Sequence, residues 1–130
     1  MNLKKILLVD DSEMDNFINK TIIEKTKIPV AIQIKTSALE ALHHLKELDN
    51  NITLFPDIIF LDIRMPLMDG FQFMEEYIKL PQEVREKCKV YMLSSSLDPG
   101  DIQKSENNIG VEKYLTKPLA HHSLGELIDQ

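Results

Sequence analysis

Three short stretches of uninterrupted apolar residues constrain this chain more than anything else in it: Ile6 to Val9, the Ile58-Ile59-Phe60 centre of Asp57 to Leu61, and Val90 to Leu93. A strand with one face in water alternates apolar and polar residues, so runs without alternation predict strands covered on both faces. A further strand, with slight alternation, is expected over Val30 to Ile34, and another over Lys113 to Thr116. Between these lie apolar residues at helical spacing: Met14, Ile18 and Ile22; Ala38, Leu42, Leu45 and Leu48; Phe71, Met74 and Ile78; and Ala120, Leu124, Leu127 and Ile128. Strand and helix therefore alternate from end to end. That order predicts right-handed crossovers and a doubly wound α/β fold, a parallel sheet between two helical layers. The segment from Leu97 to Ile109 makes the weakest helix. Asp98 and Pro99 suit an N-cap and a first turn, but Gly100, Ser105, Asn107 and Asn108 follow, and Ile102 is the only apolar residue inside.

At 130 residues the chain is long enough for one buried core and too short for a second. It reads as a single domain, residues 1–130, with no output domain, no repeats and no low-complexity tract. Its 15 basic and 21 acidic residues, a net charge of -6, disfavour attraction to phosphate backbones and hence direct nucleic-acid binding. No apolar stretch approaches the roughly 20 residues that span a bilayer. The apolar run near the N-terminus stops at Asp10-Asp11, too early for a secretory signal. The single cysteine, Cys88, has no partner for an internal disulfide, and no zinc-type spacing accompanies it. A soluble, cytoplasmic protein is expected.

In doubly wound sheets ligands bind outside the carboxyl ends of the strands, so the residues that follow each apolar run matter most. Here they are Asp10-Asp11, Asp62, Ser94-Ser95-Ser96 and Lys117. Singly, each has an ordinary explanation: Asp10-Asp11 can cap the helix ahead of Met14, Asp62 can form a turn, and Lys117 can sit in solvent. Brought to one end of a sheet, three carboxylates repel each other and call for a cation. An all-oxygen set without His or Cys selects a hard ion. Mg2+ fits, because it keeps waters and leaves positions for phosphate oxygens. Beside such an ion a carboxylate can attack a phosphoryl donor and form an acyl phosphate, with Lys117 supplying a compact second positive charge.

These residues resemble the receiver domain of bacterial two-component response regulators, the family typified by the chemotaxis receiver. The resemblance covers essentially the whole chain. It is carried by Leu8-Val9-Asp10-Asp11, by the run Leu61-Asp62-Ile63-Arg64-Met65-Pro66-Leu67-Met68-Asp69-Gly70, by Ser94 and by Lys117-Pro118. It implies a flavodoxin-like sheet of five parallel strands in the order 2-1-3-4-5, with five helices on its two faces. It also implies that Asp62 is the phosphoacceptor. Asp10, Asp11, Asp62 and the backbone carbonyl of Arg64 are the implied ligands of Mg2+, with Mn2+ able to take its place. Ser94 matches the hydroxyl that turns toward the phosphate, Lys117 the lysine that pairs with it, and Tyr114 the aromatic residue whose rotamer reports the switch. The Lys117–Pro118 bond matches one that is cis in receivers.

Some positions depart from the commonest receiver pattern. Ser94 stands where Thr is frequent, and Ser95 stands where Ala is common, placing an extra hydroxyl near the expected phosphate path. Arg64 and Ser96 occupy variable positions that, in similar domains, tune the lifetime of the acyl phosphate. The implied function is that of a stand-alone response regulator in a phosphorelay. It takes its phosphoryl group from a sensor histidine kinase or a histidine phosphotransfer protein, remodels the face made by the weak helix, the fifth strand and the last helix, and so controls a downstream protein. It is not expected to be an enzyme beyond catalysing its own phosphorylation and dephosphorylation. The alternative, a Mg2+-dependent phosphohydrolase with Asp62 as nucleophile, is disfavoured because such enzymes usually carry a second acid two residues on, where Arg64 stands. His43-His44 and His121-His122 are adjacent on helices, splay apart by about 100° and are expected in solvent. Cys88 has no activating neighbour beyond Lys87 and Lys89 and reads as structural.

Overall fold

A computed structural model describes residues 3–129. Five strands, β1 (Lys4–Val9), β2 (Val30–Lys35), β3 (Ile58–Leu61), β4 (Lys89–Ser94) and β5 (Val111–Thr116), form one parallel sheet in the order β2-β1-β3-β4-β5. Class and strand order are those expected. The helices are α1 (Glu13–Lys25), α2 (Ala38–Glu47), α3 (Gly70–Tyr77), α4 (Gln82–Lys87), α5 (Pro99–Glu106) and α6 (His121–Asp129).

There are thus six described helices where five were expected, and the addition is α4. Its six residues carry a single buried anchor, Val84. A segment that short with one apolar contact generates no 3.6-residue period for sequence reading to detect.

Successive residues of each central strand point to opposite faces, and each face has its own core. Leu7, Val9, Ile59, Leu61, Val90 and Met92 pack beneath α2, α3 and α4, against Leu42, Leu45, Phe73, Met74 and Val84. Ile6, Leu8, Ile58, Phe60, Tyr91 and Leu93 pack beneath α1 and α6, against Ile23, Leu124 and Ile128. Each fully buried side chain of this size stabilises the fold by about 1.5–3 kcal/mol before entropy is counted. Both faces are covered, which is why the runs do not alternate.

The inward face of α1 differs from expectation. Met14 is 71% exposed and Ile18 38%, whereas Asn16, Asn19 and Ile23 are buried. The asparagines belong inside because each satisfies loop backbone: Asn16 Nδ2 donates to the Asp10 carbonyl at 2.9 Å, and Asn19 Oδ1 accepts from the Leu119 amide at 3.1 Å. On α5, the buried residues are the polar Asp101 and Ser105, in keeping with its weak apolar pattern. His43 is exposed, but His44 is half-buried, and burial followed by the nearby Lys35 charge holds its pKa below the usual value. His121 and His122 lie outside the described side chains. Cys88 is buried beneath α4, and burial pushes its thiol up to about 12.

Candidate functional site

Parallel pairing brings the strand ends into register, so whatever follows β1, β3, β4 and β5 meets at one edge. The Asp62 amide donates to the Val9 carbonyl at 2.9 Å and the Asp10 amide to the Lys35 carbonyl at 3.2 Å, fixing both aspartates at the ends of their strands. Asp10 and Asp62 are 5% and 6% exposed, whereas Asp11 opens to solvent. One carboxylate oxygen from each of Asp10, Asp11 and Asp62 lies within 4.8 Å of the other two. The donor set contains oxygen alone, which suits a hard divalent cation held partly by water.

The loop after Asp62 is clamped by Gly70. Its amide donates to the Ile63 carbonyl at 2.8 Å, and a Cβ built there would sit 2.6 Å from the Asp62 carbonyl oxygen, so no larger residue fits without moving backbone. Asp69 then caps α3 in a reciprocal box with Gln72, aiming the loop back toward the sheet edge.

Lys117 reaches into the cluster from the end of β5. Its Nζ lies 2.5 Å from Asp10 Oδ2, 2.9 Å from Asp15 Oδ2 and 3.5 Å from Asp62 Oδ1. The Lys117–Pro118 peptide bond is cis, and the Lys117 amide donates to the Ser94 carbonyl at 3.0 Å. Burial alone would lower the pKa of this ammonium, but hydrogen bonds to Asp10 and Asp15 and the charge on Asp62 raise it well above its ordinary value. The Asp62 pKa is raised as well, but here the charged form is the one disfavoured. Burial, then repulsion from Asp10, pushes its carboxyl up to about 6, with Lys117 opposing the shift.

Ser94 ends β4, fully buried, and its Oγ accepts from the Ser96 amide at 3.1 Å. Ser95 is exposed. Tyr114 is half-buried on β5, and its hydroxyl donates to the Ser96 carbonyl. The Arg64 side chain turns away from the carboxylates, and its Nη2 donates to Asp101 Oδ2 at 2.6 Å. The structure thus brings together Asp10, Asp11, Asp62 and Lys117, and sets Ser94 at the end of the strand paired with that of Lys117.

A model of the response regulator receiver domain matches residues 6–129. This chain belongs to that family. Among solved structures, a two-component response regulator from Cytophaga hutchinsonii is 36% identical with a TM-score of 0.89, covering 99% of this receiver and 96% of the other chain. The Mn2+-bound form of response regulator Rcp1 is 28% identical with a TM-score of 0.74, covering 96% and 88%. The sensor histidine kinase CheAY of Helicobacter pylori is 33% identical over 129 residues, 95% of this chain. The receiver spans 14% of that kinase, and 29% of a protein-glutamate methylesterase from Thiobacillus denitrificans that it also matches. The chain is thus a receiver domain of the kind found in two-component response regulators. No helix among the described residues is long and apolar enough to cross a membrane.

Two further residues enter the site that sequence reasoning passed over. Asp15 contacts Lys117 from the first turn of α1, and Asp101 holds Arg64 from the first turn of α5. Both look like ordinary first-turn acids that complement a helix dipole, which is why their sequence positions alone gave no signal.

Proposed function

We propose that the receiver accepts a phosphoryl group on Asp62 and, in that state, presents an altered surface to a protein partner. The observation that carries this reading is the meeting of three carboxylates within 4.8 Å of one another, with an ammonium 3.5 Å from Asp62. With a pKa of about 6, Asp62 is ionised at neutral pH and its Oδ can act as nucleophile. It attacks phosphorus in line with the departing group. The new bond is the acyl O–P bond and the broken one is the P–N bond of a phosphohistidine, whose imidazole nitrogen leaves with the bonding pair. Lys117 turns from Asp10 and Asp15 to one oxygen of the transferred group, and the Ser94 hydroxyl donates to another. Asp10, Asp11, Asp62 and the Arg64 carbonyl are suited to hold Mg2+, a choice supported by the Mn2+ of Rcp1. Bound there, the ion would screen the charge that gathers on the transferred oxygens.

The donor is a sensor histidine kinase or a histidine phosphotransfer protein. Met14, Phe17 and Ile18 on α1, 71%, 70% and 38% exposed, form an apolar patch beside the Asp10–Asp15 segment where a donor helix can pack while its histidine reaches Asp62. Turnover of outside substrates is not proposed, because Arg64 stands where a phosphohydrolase places its general acid, and its side chain is committed to Asp101. Residues 1–130 work as one receiver unit in the cytoplasm. The deciding experiment is the intact mass after incubation with a small phosphodonor, with and without Mg2+, for the wild type and Asp62→Asn. A Mg2+-dependent gain of one labile phosphoryl group, absent from the variant, is expected. No gain, from this donor or from a histidine-phosphorylated one, refutes the reading.

A further inference from the structure

The inward contacts of α5 are largely polar, with the Lys104 ammonium over the Phe71 ring at 4.3 Å beside them. Its buried residues are Asp101, 9% exposed, and Ser105, whose hydroxyl donates to the Asp101 carbonyl of its own helix at 2.8 Å. The Asp101 carboxylate is therefore the group through which α5 meets the loops at the sheet edge. One of its oxygens, Oδ2, accepts from both Arg64 Nη2 at 2.6 Å and Ser96 Oγ at 2.9 Å. Arg64 follows Asp62 by two residues and Ser96 follows Ser94 by two, so one oxygen ties the acceptor's loop to the loop of the switch hydroxyl. Ser96 is engaged at every polar atom. Its amide donates to Ser94 Oγ at 3.1 Å, its hydroxyl oxygen also accepts from the Asp98 amide at 3.2 Å, and its carbonyl accepts from the Tyr114 hydroxyl.

We propose that Asp101 is a positioning residue that holds the receiver in its resting state by clamping Arg64 and Ser96 together. The proposal rests on Asp62 being the phosphoacceptor. With Ser96 clamped, the Ser94 oxygen stays turned to the Ser96 amide and Tyr114 stays bonded to the Ser96 carbonyl. A phosphoryl group on Asp62 draws the Ser94 oxygen toward itself and away from that amide. Ser96 then shifts, and the bonds it shares with Asp101 and Tyr114 loosen in the same step. The Arg64–Asp101 bond is charge-assisted but shielded only at its acid end, the Arg64 side chain being 66% exposed against 12% for Asp101, so its bias on the two loops comes from the one oxygen it shares with Ser96. On this account α5 needs few apolar anchors because it is built to be released.

The test is binding of beryllofluoride with Mg2+, a phosphoryl mimic, to the full chain by calorimetry, with amide exchange of residues 100–106 measured before and after. The proteins are the wild type, Asp101→Asn, Arg64→Gln and the double variant. Release of the clamp is expected to tighten mimic binding about 5- to 10-fold in either single variant. The double variant should bind no tighter than the singles, since both remove one contact. In the wild type, exchange across α5 should rise on mimic binding. In Asp101→Asn it should already be fast without the mimic. Unchanged or weaker binding by Asp101→Asn, even with faster exchange, overturns the clamp and leaves the phosphoacceptor reading standing. Absence of Mg2+-dependent binding to the wild type overturns both.

Discussion

Holding Asp10, Asp11 and Asp62 together costs stability whenever no cation neutralises them, and Asp62→Asn measures that cost. The Asp62 carboxyl moves from 3.8 to about 6, first through burial and then through Asp10. A shift of about two units at roughly 1.4 kcal/mol each sets a ceiling near 3 kcal/mol on the penalty of ionising it in the folded chain. Asp11 keeps the cluster open to solvent, and the variant also forfeits the 3.5 Å pairing with Lys117, so the net gain should be about 1–2 kcal/mol. The folded pKa lies above the unfolded one, so the folded chain binds the Asp62 proton more tightly. Its contribution to stability is intact below about pH 4, is lost as pH rises toward 6, and is fully absent at pH 7.5. Urea unfolding in EDTA at pH 7.5 should therefore show Asp62→Asn more stable than the wild type, and a thermal scan in the same buffer should show its melting temperature raised by about 3–10 °C. Near pH 4 the difference should shrink to a small fraction of this. A variant no more stable at pH 7.5, or equally favoured at pH 4, would refute the repulsion argument.

Three other outcomes follow from contacts at and around the site. Asp15→Asn removes one of the three carboxylates that hold Lys117, freeing the ammonium for a phosphoryl oxygen, and should speed labelling by a small phosphodonor about 2- to 5-fold in an intact-mass time course. Slower labelling would show that Asp15 aids the transfer instead. Gly70→Ala puts a methyl 2.6 Å from the Asp62 carbonyl, between backbone atoms with no freedom to retreat, and should lower stability by about 1–3 kcal/mol in urea unfolding. With its thiol pushed to about 12 by burial, Cys88 should react with iodoacetamide at pH 8 at least about 100-fold more slowly in the folded chain than in urea.

The strands were legible because a central strand covered on both faces needs apolar residues at every position, and no other element of this length does. Ile58 to Leu61 leaves no choice of face, so neither register nor exposure could mislead the reading. The gathering of Asp10, Asp11, Asp62, Ser94 and Lys117 at one edge was legible for a related reason: once the sheet is parallel, strand ends define a place. α4 was not legible, since Val84 alone supplies no period.

Other misplacements of the apolar pattern lie beside the site, and there the reason is physical. Periodicity assumes that the inward face of a helix is the apolar one. At the carboxyl edge of this sheet the loops carry polar groups that need partners, and the neighbouring helices supply them: Asn16 and Asn19 from α1 meet backbone groups, and Asp101 from α5 meets the Arg64 and Ser96 side chains. The apolar residues of α1 are displaced outward as a consequence, which leaves Met14 and Phe17 exposed where a protein donor can reach them. In the first turns of α1 apolar side chains face solvent and asparagines face the sheet, while Ile23 further along stays in the core, so the reversal is confined to the end of the helix beside the site, where core packing alone would have arranged it the other way round.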